Sequence, residues 1–391
     1  MKLLVDFILV SGIVLTLIIL FLLFKKNQKE QLPNTILVVF FFLLLFVSLS
    51  YYGQLHRIKW LYVVSFLPED TIVWFVGPLL MLYIKSLFLR PKGLVKRHII
   101  QFIPFLIYTL SISVPLWLSV IKGEYVFKNL GYMEDHIVLP VLMVGNIYLL
   151  GYMVFCLKLV NRYQSLIKHN YSTFTEHDFS WIKNLLIGSM AVISIDLFTG
   201  LYYFITEKEL VILGSSDGHL TILAMVILVA YLGYHGVGQS RMLLPEFLLA
   251  QNEEPLEKMV KEEKKSNTHP LLSDEELKNL EGRFHTVLVE QKLYLDENLT
   301  LGKIASLMDT TDKKLSFFIN HHLHTTFYDL INKERVAMVK TQLHEKALQQ
   351  YTLLGIAHNS GFKSKTSFNR IFKKETGLSP SEYVKQFKLK H

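Results

Sequence analysis

Seven apolar runs constrain this chain before any other feature. They occupy residues 3–24, 35–53, 71–89, 98–121, 136–160, 181–206 and 219–238. A hydrocarbon layer about 30 Å thick is crossed by ~20 helical residues at about 1.5 Å each, so every run is long enough to span a bilayer. Inside lipid an open backbone leaves its polar groups unpaired, which makes helices the expected form. The expected fold class is therefore all-α: a seven-helix transmembrane bundle over residues 1–238, followed by a further helical domain.

The first run differs from a cleaved secretion signal. Its basic lead-in is only Lys2, it exceeds the usual apolar core of a signal, it lacks a small-residue cleavage site, and more spans follow. It is expected to be retained. Composition agrees with a membrane part joined to a basic soluble part: 51% of residues are hydrophobic, yet the formal charge is +8.

Basic residues in the short loops set the expected orientation. Lys25, Lys26 and Lys29 follow the first run, Arg90, Lys92, Lys96 and Arg97 the third, and Lys158, Arg162, Lys168 and Lys183 surround the fifth-to-sixth loop. The alternate loops hold fewer: Arg57 and Lys59, then Lys122 and Lys128, then Lys208. The positive-inside rule puts the N-terminus outside and the C-terminus in the cytoplasm.

Within the bundle, Asp196 lies near the middle of the sixth run and Asn146 in the fifth. A carboxylate in hydrocarbon is costly unless it faces the bundle interior, a partner or water. Both residues are candidate sensor positions, the alternative being a hydrogen bond that only holds helices together. Lys85, one turn from a helix end, is expected to snorkel. Gly77-Pro78, Pro104, Pro115 and Pro140 are candidate kinks without implied function.

Residues 239–270 shift to a polar, charge-mixed composition with three prolines and read as a cytoplasmic linker. A short amphipathic piece at Met242–Leu249 could rest on the inner leaflet, although a solvated connector is the simpler reading.

The remaining domain, 271–391, is punctuated by caps. Ser273-x-x-Glu276 is a capping box that starts a helix running to about Lys292. Thr300 caps a helix bearing Leu301, Ile304, Ala305 and Leu307; Asp309-Thr310 turns the chain; Thr311 caps a second helix with Leu315, Phe318 and Ile319 inward and Lys313, Ser316, Phe317 and Asn320 outward. A long helix is expected over about 326–345. The pattern then repeats. Leu353, Leu354, Ile356 and Ala357 form a short helix stopped at Ser360-Gly361, Phe362 enters the core, and Ser364 caps a helix whose inner stripe is Phe368, Ile371 and Phe372. Its outer face carries Lys365, Thr366, Asn369, Arg370 and Lys373. Gly377 ends it, and Ser379-Pro380 starts the next helix, which turns Tyr383 inward.

The string Ala357-x-x-x-Gly361-Phe362-x-Ser364-x-Thr366-x-Phe368-x-Arg370-x-Phe372-Lys373-x-x-x-Gly377-x-Ser379-Pro380-x-x-Tyr383 resembles the signature of the AraC/XylS family of bacterial transcription regulators. The resemblance extends over about Glu276 to Phe387 and not before. It implies two helix-turn-helix units, at about 300–320 and 352–375, spaced by a linking helix of the Arg335-Val336 type. Gly361, Phe362, Phe368, Phe372, Gly377 and Pro380 are the structural positions of the better-formed unit. Two departures concern the first unit: its turn has no glycine, and Phe317 stands where the family usually shows a polar residue.

A basic, donor-rich helix face suits the major groove. Lys365, Thr366, Asn369 and Arg370, with Lys313 and Ser316, are the candidates for base edges; Lys373, Lys374 and Asn320 are those for the DNA backbone. Basic residues crowd the stretch after Ile331, including Lys333, Arg335, Lys340, Lys363, Lys373, Lys374 and Lys385, so phosphate attraction is expected there.

Cys156 is the one cysteine, and no Cys or His cluster has the spacing of a zinc site. His321, His322 and His324 end a helix, where a phosphate or dipole contact is expected rather than a metal. No phosphate-cradling glycine loop, nucleophile-base pair or nucleotide-binding pattern is present, so neither an enzyme nor a cofactor is expected. The expected function is a one-component regulator in the bacterial cytoplasmic membrane. Its partners are double-stranded DNA, membrane lipids and a small-molecule or membrane-derived ligand, with RNA polymerase and a second copy as further candidates. The alternative is a transporter or channel with a DNA-binding appendage, against which stand the lack of an inverted repeat and the few charges within the runs.

Overall fold

The computed structural model describes residues 2–25, 31–88, 93–122, 134–172, 177–208, 210, 218–239, 272–344 and 350–390. All regular elements among them are helical. The chain divides into two compact units: Met1–Asn161 with His177–Leu256, and Arg162–Glu176 with Glu257–His391.

The first unit is built from α1 (Lys2–Lys25), α2 (Gln31–Leu55), α3 (Lys59–Phe88), α4 (Leu94–Lys122), α5 (Leu139–Asn170), α6 (His177–Thr206) and α7 (Gly218–Gln239), the last residues of α5 being counted with the second unit. Among the described residues, six helices are long and apolar enough to cross a membrane, namely α1 to α6, and α7 carries a shorter apolar run, Leu220–Leu232. Large apolar side chains point outward, Phe7 at 71%, Leu110 at 71% and Ile205 at 70% exposure. Such a surface is stable against lipid tails and costly against water.

α4 changes pitch twice, through a 3-10 turn at Ile99–Phe102 and a π turn at Thr109–Ser113. Each precedes a proline, Pro104 and Pro115, whose missing N–H and ring displace the ordinary ladder.

α3 begins at Lys59, twelve residues before the apolar run that announced it at 71. The run was cut short by Glu69 and Asp70, which the fold instead takes inside the helix with hydroxyl partners. Ser50 Oγ donates to Glu69 Oε2 at 2.8 Å, and Tyr108 OH donates to Asp70 Oδ1 at 3.1 Å. Asp196 is partnered too. Asn146 Nδ2 donates to one of its carboxylate oxygens at 2.9 Å and Thr221 Oγ1 to the other at 3.2 Å, so one side chain ties α5, α6 and α7. Lys85, expected to snorkel, has its Nζ 3.1 Å from His98 Nε2 on α4.

The second unit contains α8 (Asp274–His285), α9 (Leu301–Leu307), α10 (Asp312–Phe317), α11 (Phe327–His344), α12 (Leu353–Asn359), α13 (Lys365–Thr376) and α14 (Pro380–Lys390). One core joins Leu280, Phe284, Leu288, Ile304, Leu315, Phe318 and Ile331. Beyond α11 the rings of Phe362, Phe368, Phe372 and Tyr383 follow one another at centroid distances of 5.3, 5.6 and 5.3 Å. Offset and edge contacts of this kind add to the burial of the rings. The predicted linker lies, apart from Gln239, outside the described residues, as does its amphipathic piece at Met242–Leu249.

Candidate nucleic-acid interface

Each helix of the C-terminal pair starts on a side-chain cap. Thr352 Oγ1 accepts from Gly355 N at 3.1 Å, and Ser364 Oγ accepts from Ser367 N at 3.2 Å. A cap of this type satisfies one orphan donor of the first turn and contributes about 1 kcal/mol. Between the two helices Gly361 takes φ +88°, a region that L side chains avoid. Phe362 is turned into the core, and Phe368, Ile371 and Phe372 bury the inner stripe of α13. The opposite face leaves Lys365, Thr366, Asn369 and Lys373 exposed. α13 ends at Gly377, at φ +77°, and a capping box between Ser379 and Glu382 opens α14.

Arg370 departs from the plain outward face. It is half-buried, and its Nη2 donates to the hydroxyl of Tyr328 on α11 at 2.7 Å. Lys374, at the same end of α13, donates to Asp329 Oδ1 at 2.7 Å. Burial pushes the Asp329 carboxyl up, but the bonds from Lys374 and Thr326 outweigh it and hold the group below its ordinary value. α13 is thus clamped to α11 at two successive residues, Tyr328 and Asp329.

The first pair, α9 and α10, repeats the capping. Thr300 accepts from Lys303 N and Thr311 from Lys314 N, at 3.2 and 3.3 Å. In place of the missing glycine, Asp309 adopts φ +49°, a conformation for which Asp is among the better-tolerated non-glycine residues. Lys313 is exposed, and Ser316 and Asn320 are half-buried, with Asn320 Nδ2 donating to Ser316 Oγ at 3.1 Å. α10 continues into a π turn at Phe318–His322, where Phe317 stacks on His321 and Phe318 on His322.

Arg335 requires a correction. Counted by sequence among the residues facing phosphate, it is 1% exposed and lies at the centre of the unit. Its Nε donates to the Tyr294 carbonyl at 2.8 Å and its Nη2 to the Asp296 carbonyl at 2.7 Å, while Nη1 reaches Asn332 Oδ1 at 3.3 Å and the Ser172 carbonyl at 3.2 Å. Burial presses its pKa down to about 10, so the guanidinium is charged at neutral pH and pairs with carbonyl dipoles. A signal for this was present: Ile331, Arg335, Val339 and Leu343 stand four apart on one helical stripe whose other members are buried. No local pattern marked Ser172.

Comparison with curated proteins and with solved structures gave no match. Residues 304–386, from within α9 to within α14, match the model of a family described as a helix-turn-helix domain, so this part of the chain is similar to the DNA-binding part of transcription regulators.

Proposed function

We propose that the chain is a membrane-embedded one-component transcription regulator, in which seven spanning helices hold two helix-turn-helix units, α9 with α10 and α12 with α13, at the cytoplasmic face. The carrying observation is the coexistence, in one chain, of a helix-turn-helix match at residues 304–386 and six apolar helices of membrane-crossing length. The basic loops favour a cytoplasmic C-terminus. In this reading α13 enters the major groove, with Lys365, Thr366, Asn369 and Arg370 on base edges and Lys373 and Lys374 on phosphates. Lys313 and Ser316 act on bases and Asn320 on the backbone in the first unit, and Asp196 with Asn146 forms part of the sensor. A second copy would raise affinity through effective concentration.

The test uses the full chain in lipid nanodiscs, mixed with a random pool of DNA duplexes at several salt concentrations. A recurring sequence should be enriched, with affinity falling steeply as salt rises, because counterions are released from each neutralised phosphate. Enrichment of no sequence at any salt concentration would sink the reading.

Arg370→Ala separates readout from positioning. If Arg370 reads a base, affinity for the selected sequence should fall by ~10- to 100-fold and affinity for random duplex by less than about threefold. Equal loss on both, measured by fluorescence anisotropy, would instead assign Arg370 to holding α13 on α11 through Tyr328.

A further inference from the structure

Arg162–Glu176, which comprises the last residues of α5 and the connection to α6, is assigned by its packing to the second unit. The point of attachment is Ser172, which is 0% exposed. Its N–H donates to the Leu299 carbonyl at 3.2 Å, and its Oγ donates to the same carbonyl at 2.8 Å. Its own carbonyl accepts from Asn332 Nδ2 at 3.0 Å and from Arg335 Nη1 at 3.2 Å, and its Oγ accepts from Arg335 Nη2 at 3.1 Å. Every polar atom of the serine is thereby met by Leu299, Asn332 or Arg335. Beside it, Tyr171 forms an antiparallel bridge with Thr300, the cap of α9. One turn earlier, His169 Nδ1 lies 3.0 Å from Asn320 Oδ1, and Asn320 in turn holds Ser316.

This is a built receptor for a short peptide segment. Backbone pairing supplies the attachment, and a small enclosed site sets the side chain that fits. It is also separable from the fold of its own domain. Arg335 keeps the Tyr294 and Asp296 carbonyls without Ser172, and water can take the five bonds that Ser172 vacates on the Leu299 carbonyl, Asn332 and Arg335. The occupant touches Thr300, which starts α9, and Asn320, which follows α10. It therefore bears on both ends of the first helix pair.

We propose that Tyr171–Ser172 is an internal ligand of the C-terminal unit, and that its docking beside Leu299, Asn332 and Arg335 holds the first helix pair in a state of low DNA affinity until a change in α5 and α6 withdraws it. The DNA part of this inference rests on the function proposed above; the docking does not. The apparent affinity of a protein is lowered by the fraction in its competent state, so a site occupied about nine-tenths of the time would hide about a tenfold gain.

The experiment uses the full chain in nanodiscs. In a Cys156→Ala background, His169→Cys and Asn320→Cys provide two thiols for a short bifunctional crosslinker. Crosslinking should be efficient with Ser172 and at least about fivefold lower with Ser172→Tyr, whose ring the enclosed site cannot admit. Without the thiol substitutions, Ser172→Tyr should bind the selected DNA about tenfold more tightly than the parent. Ser172→Ala keeps the backbone bonds and should give a smaller gain, which guards against a folding defect of the bulky variant. Weak crosslinking in the parent, or equal crosslinking in both, overturns the docking. Crosslinking lost with DNA affinity unchanged or weakened overturns the inhibitory role. Crosslinking as expected, but with no DNA bound by any variant, overturns the proposed function and the inhibitory role with it, leaving the docking in place.

Discussion

Arg335→Leu is expected to destabilise the C-terminal unit by ~2–6 kcal/mol, because two buried carbonyls lose a charged donor. Leucine fills part of the volume but leaves the Tyr294 and Asp296 carbonyls without the donors they now have at 2.8 and 2.7 Å. Each stranded acceptor costs about 1–3 kcal/mol. Arg335→Lys should be intermediate in effect, since an ammonium keeps the charge but its three donors leave one atom, whereas the guanidinium serves Tyr294, Asp296, Asn332 and Ser172 from three nitrogens. The four tryptophans, Trp60, Trp74, Trp117 and Trp181, all lie in the first unit, so fluorescence would miss the loss. Hydrogen exchange is the suitable measurement, with amides of α9 and α11 losing protection while those of α2 and α3 keep theirs. DNA affinity should fall alike on selected and random duplexes, in contrast to Arg370→Ala. Unchanged exchange in α9 and α11 would show that the arginine is not a support of the fold.

Gly361→Ala is expected to cost roughly 3 kcal/mol, from two additive sources. The residue would sit at φ +88°, where an L side chain pays about 1–2 kcal/mol. Its Cβ would also lie 2.6 Å from the Tyr294 carbonyl oxygen, 2.9 Å from Arg335 Nε and 3.0 Å from the Leu295 carbonyl oxygen. Two of these neighbours are backbone and the third is pinned by its own hydrogen bonds, so relief requires moving the turn at Gly361 away from both the Tyr294–Leu295 backbone and α11. Overpacking of that kind costs about 1–3 kcal/mol. Gly377→Ala is the internal control. It has φ +77° but nothing within 4 Å of the added carbon, so it should pay the conformational cost alone. Denaturant titration followed by hydrogen exchange would compare the two. Equal losses would show that the contact with Tyr294 and Arg335 carries no weight.

Much of the C-terminal unit is legible from short stretches. Ser273 with Glu276, Thr300, Thr311 and Ser364 all cap helices where the sequence places them, because a cap depends on a side chain and a backbone N–H two or three residues on. The stripe of Phe368, Ile371 and Phe372 is equally local, since it follows from helical periodicity. The third apolar run misled by position. A hydropathy reading treats Glu69 and Asp70 as a boundary, and only their pairing with Ser50 and Tyr108, from other helices, lets the helix continue through them.

The candidate DNA face divides the same way. Lys365, Thr366, Asn369 and Lys373 are exposed, as a wheel drawn on the sequence expects, whereas Arg370 and Lys374 on that wheel are engaged by Tyr328 and Asp329. Those partners lie more than forty residues away, at separations of 42 and 45.

What the sequence by itself determined is the helical class, the caps at Ser273, Thr300, Thr311 and Ser364, the glycine turn at Gly361, the apolar runs and the basic face of α13, each dictated by residues within a turn or two of one another. Only the tertiary structure decided that Asp196 ties three helices, that Arg335 is a buried strut, and that Ser172 is seated against it at a separation of 163 residues. The reason is physical: backbone geometry imposes a period on near neighbours, and no such period relates a serine after α5 to an arginine in α11, which meet only when their carbonyls and donors are buried in the same place.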